Sequence, residues 1–333
     1  MTIRLILGFF LAYLLALVGT PMARDAALRF GVVDRPDGAL KNHGQPVAYL
    51  GGLAVFIAFL LSIGMTFEFD QELLALLLAS TIVATVGLID DFGALTPKPK
   101  AIGQVVAVFV LIKSGIMVQV AIIPWWLRLL ITVLWLVGLS NAFNLTDIMD
   151  GLASGLGVIS ATFLLVVALL NGRFVVAAFT VALIGALLGF LRSNFHPASI
   201  YLGDCGSLFI GLTLGALAMV MDYTQYNPLG WLAPLYILAV PIIDTVYVMV
   251  LRLKAGRKIY YGSPDHFPLR MRRRLDGWTA GTVVLSYAVA VVFGGIGLVV
   301  LFLDPMATLI VTGVVGVVST ALLAWLAMVP MDS

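Results

Sequence analysis

Residues 174–191 read FVVAAFTVALIGALLGFL, and the fold class follows from this stretch. Its 18 residues include no charged side chain, and a run of that length and character is typical of a membrane-spanning α-helix. Membrane β-strands are excluded, because they are about ten residues long and alternate in polarity. The stretch therefore predicts a helix that crosses a membrane.

The rest of the chain repeats this character. Of its 333 residues, 62% are hydrophobic and 11% are charged, whereas soluble domains have about 45–50% apolar and about 25% charged residues. This composition excludes a soluble globular protein and a disordered chain. We expect an all-α integral membrane protein, one polytopic domain over residues 1–333, with ten or eleven transmembrane helices. The expected spans are 3–20, 49–67, 72–89, 101–120, 122–140, 152–171, 174–191, 207–221, 230–251, 280–303 and 306–329.

Two divisions between spans are weak, since either 101–120 with 122–140 or 280–303 with 306–329 could form one tilted or broken helix. The first span is expected to stay on the chain, because the GTPMA that follows it lacks an Ala-x-Ala cleavage site. The single cysteine, Cys205, excludes a disulfide framework. The net charge of +2 does not indicate binding of nucleic acid.

Basic residues predict the orientation. Of the 19 Lys and Arg residues, 15 lie in connections that follow odd-numbered spans, and such residues are enriched in cytoplasmic loops. We therefore expect the N-terminus outside and the polar motifs on the cytoplasmic face. The expected cytoplasmic loops are about 21–48, 90–100, 141–151, 192–206 and 252–279.

The third span ends in GLIDDFGALTPKPK, which contains Asp90 and Asp91. Adjacent carboxylates repel each other unless a cation lies between them or they face different partners. We interpret the pair as handling a metal ion or a phosphate group, with Lys100 nearby to hold anionic oxygens. A solvated helix end is the alternative.

Two further motifs carry polar side chains that are hard to explain as structure. NAFNLTDIMDGLASG spaces Asn141, Asn144, Asp147 and Asp150 three residues apart. Neighbours at that spacing share a helix face, but over nine residues the row rotates by about half a turn. The row should therefore wrap a pocket, or the segment should be partly irregular; a capped re-entry turn is the alternative.

The motif YLGDCGSLFIG places Asp204 between two glycines and just before an apolar run. An aspartate there can hold Mg²⁺ against a phosphate, and Ser207 is a candidate N-cap for the next helix. The alternative is that Asp204 only assists this cap.

Basic residues complete the candidate set. Arg35, Lys41 and His43 in the first long connection are candidate anion binders, unless that loop is simply solvated. The last long connection contains His266 and four arginines between 270 and 274. Arginine pairs bidentately with phosphate, but such a cluster also anchors membrane proteins to lipid headgroups.

One carboxylate, Asp244, falls inside an apolar span, where it needs a partner that the sequence does not name. A transporter would place more ionisable groups near the middle of the membrane and would show inverted repeats. Because the other motifs fall at helix ends on one face, we favour an enzyme with a water-soluble and a lipid substrate, using Mg²⁺ and phosphate chemistry.

In this order the motifs resemble those of the polyprenyl-phosphate N-acetylhexosamine-1-phosphate transferases. The matching stretches are DRPDGALKNHGQPVAYLGG, GLIDDFGALTPKPK, NAFNLTDIMDGLASG, YLGDCGSL and PIIDT, and they lie between residues 34 and 274. The resemblance implies transfer of a sugar-1-phosphate from a UDP-sugar to undecaprenyl phosphate, with release of UMP, as the first membrane step of cell-envelope glycan synthesis. It also implies a location in the bacterial cytoplasmic membrane.

The resemblance further implies roles for individual residues and partners. Asp90, Asp91 and His266 would be catalytic, and Asn144 and Asp204 would bind Mg²⁺ or, alternatively, Mn²⁺. The implied partners are a UDP-N-acetylhexosamine, polyprenyl phosphate and membrane lipids, with a homodimer as a further option and no nucleic acid. The residues matched to substrate binding are Lys100, Asn141, Asp147, Asp150, Arg270 and His43.

Two departures from the family pattern affect these expectations. Ile148 stands where the family has a glycine, which puts the backbone near Asp147 in question. DHFPLRMRRR, at 265–274, replaces the histidine runs of related enzymes. Because Phe267 and Pro268 are stiff and bulky, we expect a small donor such as UDP-N-acetylglucosamine. Phospho-N-acetylmuramoyl-pentapeptide transfer is the alternative, and direct attack and a covalent aspartyl intermediate both stay open.

Overall fold

The structure is a computed structural model that describes residues 2–34, 47–67, 71–119, 123–257 and 264–331, and it is mostly α-helical. The chain divides into two compact units, Met1–Met221 and Asp222–Ser333. We describe each unit by itself. The expectation of one polytopic domain stays a prediction.

In its described residues, the first unit contains eight helices and one small sheet. Helix α7 contains residues 174–191 and packs against α1, α2 and α6, while α8 packs against α2, α3 and α5. Most of α7 is buried, so its apolar side chains form the centre of this unit. The helices are α1 Thr2–Phe30, α2 Gly51–Thr66, α3 Gln71–Asp91, α4 Pro97–Lys113, α5 Trp125–Thr146, α6 Leu152–Leu170, α7 Phe174–Asn194 and α8 Gly203–Met219.

The second unit begins with a short 3-10 turn, Gly230–Leu232, that leads into α9. Helix α10 is bent by 73° from the segment Gly230–Ile237. Within this unit α12 packs against α9, α10 and α11, and α11 also contacts α13. The helices are α9 Ala233–Ile237, α10 Ala239–Lys254, α11 Phe267–Arg274, α12 Thr279–Val300 and α13 Pro305–Ala327.

Seven helices among the described residues are long and apolar enough to cross a membrane, and eight if the bent pair counts as one span. The shorter apolar helices α2 and α8 coincide with two other expected spans, and α4 overlaps a third. Both doubtful divisions are real breaks, because α4 and α5 are separate helices, as are α12 and α13. The protein is therefore a multi-pass membrane protein.

Several of the expected connections are partly helical. Helix α1 continues to Phe30, so residues 21–30 are helical, and α5 continues to Thr146. Helix α8 begins at Gly203, four residues before the expected start of that span. Hydropathy marks where apolar side chains stop, whereas backbone hydrogen bonding continues through a polar turn. The polar motifs consequently lie largely on helix ends.

A short ladder ties two connections of the first unit together. Strand β1 (Val33–Asp34) pairs antiparallel with β2 (Val47–Ala48), and the Tyr201 N–H donates to the Ala48 carbonyl over 2.8 Å. The first turns of α2 and α8 then meet at two glycines. A Cβ on Gly52 would lie 2.1 Å from the backbone nitrogen of Gly206, so only glycine permits this approach, which holds the start of α8 against α2.

Candidate active site

Four helix termini of the first unit bring the predicted polar residues together. Helices α3 and α5 end there, and α4 and α8 begin there. Contacts between side chains of these four helices join Asp90, Lys100, Asn144 and Asp204 into one cluster, and Asp91 joins it by accepting the backbone N–H of Asp204. These residues lie between positions 90 and 204 of the sequence, a span of 115 residues, and helix packing brings them into contact.

Lys100 is the centre of this cluster. Its Nζ lies 2.8 Å from Asp90 Oδ2 and 3.5 Å from Asn144 Oδ1, and it also contacts Asp204 Oδ2. The three partners come from α3, α5 and α8, so oxygens of three helices converge on one positive charge. The Lys100, Asp90 and Asp204 side chains all remain partly exposed to solvent, which leaves the cluster open to a ligand.

Asn144 links Asp204 to the body of α8. Its Nδ2 donates to Asp204 Oδ1 over 2.7 Å and lies 3.0 Å from Ser207 Oγ. Ser207 in turn donates to the carbonyl of Gly203 over 2.9 Å. The expectation that Ser207 is an N-cap is wrong, because α8 starts at Gly203 and Ser207 lies one turn inside it. Ser207 supports Asn144 instead.

Asp91 caps α8 from a different helix. Its Oδ1 accepts the Asp204 N–H over 2.7 Å, and its Oδ2 accepts the Cys205 N–H over 3.1 Å. A carboxylate at a helix N-terminus satisfies free N–H groups and is favoured by the helix dipole. Asp90 and Asp91 therefore face different partners, a lysine and a helix end, which relieves the repulsion expected between neighbours.

Gly203 makes this cap sterically feasible. Its φ is +71°, and a Cβ there would lie 2.8 Å from both carboxylate oxygens of Asp91. Positive φ is the region that favours glycine. The glycine before Asp204 therefore shapes the turn that presents the aspartate.

The row of polar residues from Asn141 to Asp150 begins inside α5 and continues beyond its end. Asn141 and Asn144 lie on the last turns of α5, whereas Asp147 follows its end. Desolvation, followed by the negative charges of Asp204 and Asp91, raises the pKa of Asp147 to about 8. Ile148 has no positive φ, so the backbone beside Asp147 does not require the glycine that the family usually has there.

Asp150 tethers the connection between α7 and α8. Its Oδ2 lies 2.8 Å from His196 Nδ1 and accepts the Ala198 N–H over 3.0 Å. Both of these contacts are with the loop between α7 and α8. The substrate-binding role of Asp150 stays a prediction.

A polar residue that the sequence analysis overlooked lies beside Asn141. Gln104, on α4, accepts a hydrogen bond from Asn141 Nδ2 over 3.0 Å through its Oε1. Gln104 is only 1% exposed. The signal was present, since an amide one turn after Lys100 interrupts an otherwise apolar helix.

The second unit has a separate polar cluster around Asp244. Its Oδ2 lies 2.7 Å from His266 Nδ1, and its Oδ1 accepts the Phe267 N–H over 2.9 Å. Both side chains are buried. These contacts supply the partners that Asp244 requires in an apolar helix, and they fix His266 at the start of α11.

Arg270 is held within the same unit. Its Nη2 donates to Asp265 Oδ1 over 2.7 Å, and its Nη1 donates to the carbonyls of Val329 and Ala327 over 2.6 and 3.1 Å. The guanidinium therefore binds the end of α13. The predicted roles of His266 and Arg270 at the substrate stay predictions, and His43 lies outside the described residues.

The donor set of the Lys100 cluster consists of oxygens. No group of three or more His, Cys, Asp or Glu side chains is arranged for a metal ion within the described parts of the chain. Mg²⁺, however, is commonly bound through one or two carboxylates together with substrate phosphates and water. Asp204 and Asn144 offer such oxygens beside a lysine, so the arrangement suits a cation and a phosphate group together.

Comparison with known proteins places these features in one family. Residues 73–222, which hold α3 to α8, match the model described as "Glycosyl transferase family 4". A probable undecaprenyl-phosphate N-acetylglucosaminyl 1-phosphate transferase of Bacillus subtilis is 32% identical over 303 residues, covering 87% of this chain and 83% of that protein.

Two other relatives are similarly close. A decaprenyl-phosphate N-acetylglucosaminephosphotransferase of Mycolicibacterium smegmatis is 33% identical, with 92% of this chain and 85% of that protein covered. A phospho-N-acetylmuramoyl-pentapeptide-transferase of Halalkalibacterium halodurans is 32% identical, with 86% and 92% covered. The matches extend over nearly the whole chain and agree with the resemblance carried by the motifs.

Proposed function

The chain belongs to glycosyl transferase family 4, the family of the polyprenyl-phosphate N-acetylhexosamine-1-phosphate transferases, and from this premise we propose its reaction. The protein transfers GlcNAc-1-phosphate from UDP-N-acetylglucosamine to undecaprenyl phosphate and releases UMP. The observation that carries the proposal is the Lys100 cluster, where oxygens from three helices surround one cation at the ends of membrane helices.

Bond changes follow from the two substrates. An oxygen of the lipid phosphate attacks the phosphorus that bears the sugar, and the bond from that phosphorus to the bridging oxygen of UMP breaks. The second pKa of a phosphate monoester is about 6, so the acceptor is mostly dianionic at neutral pH. A strong general base is then unnecessary, and positioning with charge stabilisation supplies most of the catalysis.

Lys100 stabilises the charge on the transferred phosphoryl group, since its ammonium is the positive centre of the cluster. Asp90 holds this lysine in place and positions the acceptor or takes a residual proton. Asp91 keeps Asp204 at the first turn of α8. A covalent intermediate on an aspartate is the alternative, and trapping with radiolabelled donor in the absence of acceptor distinguishes the two courses.

Asp204 and Asn144 hold Mg²⁺ in this proposal, with Mn²⁺ as a substitute. The fit is supported by Asn144 Oδ1 and Asp204 Oδ2, which both already contact the positive charge of Lys100. When bound, the ion would act as a Lewis acid on the donor diphosphate. Binding of Mn²⁺ followed by electron paramagnetic resonance should weaken in Asp204→Asn, which tests the site without turnover.

The membrane arrangement is part of the proposal. The apolar runs of the sequence support ten or eleven spans, and the bias of Lys and Arg supports an N-terminus outside with the Lys100 cluster on the cytoplasmic face. A UDP-sugar would then reach the cluster from the cytoplasm, and the polyprenyl phosphate would reach it from the bilayer. We place the protein in the bacterial cytoplasmic membrane, as a monomer or a homodimer, at the first membrane step of envelope glycan synthesis.

Turnover in detergent tests the function. The purified protein is incubated with undecaprenyl phosphate and either UDP-N-acetylglucosamine or UDP-N-acetylmuramoyl-pentapeptide, with Mg²⁺ or with EDTA, and released UMP and lipid product are measured. We expect Mg²⁺-dependent UMP release and a higher kcat/KM with UDP-N-acetylglucosamine. A preference for the pentapeptide donor would overturn the donor assignment, and absence of UMP release with both donors would overturn the transferase proposal.

A further inference from the structure

The amide pair beneath the Lys100 cluster has a fixed orientation. Asn141 Nδ2 donates to two acceptors, the Val137 carbonyl over 2.8 Å and Gln104 Oε1 over 3.0 Å. A backbone carbonyl can only accept, so the nitrogen of the Asn141 amide must face Val137. If the nitrogen and oxygen of the Asn141 amide were exchanged, Asn141 Oδ1 would face the Val137 carbonyl oxygen and the two would repel each other. The orientation of the amide is therefore fixed.

The oxygen of Asn141 is consequently turned away from both partners. Because the two N–H bonds of Nδ2 are used by Val137 and Gln104, Oδ1 points to the remaining side of the amide. It has no hydrogen-bond partner among the residues that the structure describes, and Asn141 is partly exposed. Asn141 therefore offers a hydrogen-bond acceptor and no donor.

The pair lies next to the reacting groups. Gln104 follows Lys100 by four residues on α4, and Asn141 precedes Asn144 by three residues on α5. Residues at these spacings share a helix face. Gln104 thus lies on the same face of α4 as Lys100, and Asn141 lies on the same face of α5 as Asn144.

Gln104 itself is held at a cost to stability. Its Nε2 is buried and has no hydrogen-bond partner within the described parts of the chain. A buried donor without a partner loses its water without compensation, and such a group in a native protein calls for an explanation. Among the residues that the structure describes, its Oε1 has one hydrogen-bond partner, Asn141.

We infer that Gln104 is a positioning residue that locks the Asn141 amide with its oxygen toward the substrate, so that Asn141 binds an N–H or O–H group of the nucleotide sugar. This inference rests on the proposed function. Phosphate oxygens at neutral pH are acceptors, and an acceptor facing them would repel them. The group recognised is therefore a hydroxyl or amide N–H of the UDP-sugar, and the phosphate of the lipid acceptor is excluded.

Steady-state kinetics of Gln104→Leu tests the inference. Loss of Oε1 removes one of the two acceptors that hold the Asn141 amide and leaves only the Val137 carbonyl, so the amide is held less firmly and the KM for UDP-N-acetylglucosamine should rise about tenfold. The KM for polyprenyl phosphate should stay within about twofold. The Tm should not fall, because the unpartnered Nε2 is removed together with the contact to Asn141.

Two further variants separate positioning from packing. Gln104→Glu, which is neutral when protonated, keeps an acceptor oxygen for Asn141 and should restore a donor KM near the wild-type value. In an Asn141→Leu background, Gln104→Leu should add no further loss, since its effect acts through Asn141. The matched control is Thr213→Val. It removes another buried hydrogen bond between helices, in which Ser80 Oγ and Thr213 Oγ1 lie 3.2 Å apart, and it should leave the donor KM unchanged.

Direct binding keeps this inference distinct from the proposed function. UDP-N-acetylglucosamine is titrated calorimetrically into the wild-type protein and into Gln104→Leu. An active wild type whose donor KM is unaffected by Gln104→Leu would overturn the inference alone. So would a rise in the KM of the lipid only, or a fall in kcat that follows a fall in Tm. A wild type that neither binds nor turns over UDP-sugars would overturn both.

Discussion

The Lys100 cluster of the first unit and the Asp244 cluster of the second unit both contain aspartates, but they use them in opposite ways. Around Lys100, oxygens of several helices share one cation and stay partly exposed. Around Asp244, a buried carboxylate is satisfied by His266 and by the Phe267 N–H within one connection. The first arrangement is open to exchange of partners with a ligand, whereas the second is closed and fixes the start of α11.

This difference predicts two classes of mutational effect. Removal of a charge from the open cluster should reduce turnover with little change in stability, because water and neighbouring groups can replace the lost contact. Removal of a charge from the closed cluster should reduce stability, because a buried partner is left unsatisfied. Four substitutions test the comparison.

Asp204→Asn should have the largest effect. It removes the negative charge that contacts Lys100 while the shape stays similar, and kcat should fall roughly thousandfold, in the range seen when one charge-stabilising group is lost. UMP release and Tm are measured on the same preparation. The control is Asp222→Asn, at an exposed position of the second unit. Activity near the wild-type level in Asp204→Asn would remove Asp204 from the metal site.

Asp244→Ala should lower the free energy of unfolding by about 3 kcal/mol, because it leaves His266 and the Phe267 N–H without their buried acceptor. Asp244→Asn, which keeps one acceptor oxygen, should lose about half as much. Thermal or denaturant unfolding in detergent measures both. Equal stability of the wild type and Asp244→Ala would contradict the view that this cluster is closed and structural.

Asp90→Asn should lower kcat about a hundredfold with a smaller change in the donor KM. Asp90 holds Lys100 at 2.8 Å and is assigned to the acceptor side of the reaction. The measurement is initial rate against the concentration of each substrate. A change confined to the donor KM would instead assign Asp90 to the nucleotide pocket and would shift the boundary of the open cluster.

Arg270→Lys should have the smallest effect, a loss of about 1 kcal/mol in stability. The substitution keeps a positive charge for Asp265 but loses hydrogen bonds to the carbonyls at the end of α13. Unfolding is followed as for Asp244→Ala. The donor KM of the same variant decides whether Arg270 also has the substrate role that the motif implies, which would make the second cluster less closed than its contacts indicate.

The helices and the residues of the Lys100 cluster could be predicted from the sequence. Apolar runs such as 174–191 identify helices by composition alone, and the Asp pair, Lys100, Asn144 and Asp204 stand out because charged and amide groups are costly beside lipid. The comparison with known proteins then supplies the family. These signals are local, so a single chain is sufficient to read them.

Partner choice could not be predicted, because it depends on helix packing. Asp91 caps a helix that begins more than a hundred residues later, and Ser207 lies inside that helix although its residue type favours a cap. Gln104 was overlooked because a single amide in an apolar run has no recognisable spacing. Asp244 finds its partners, His266 and the Phe267 N–H, because the start of α11 packs against α10. Hydropathy does not predict which helices pack together.

The cap on α8 also has a consequence for biosynthesis. Asp91 and the backbone N–H groups that it accepts are 113 and 114 residues apart, so the ribosome releases α3 long before its partner is made. Until α8 is made, Asp91 lacks the two backbone N–H groups from which it accepts hydrogen bonds in the folded protein. Arrival of α8 then closes the site and satisfies its first turn in one step, so a nascent chain that ends before α8 carries no assembled centre.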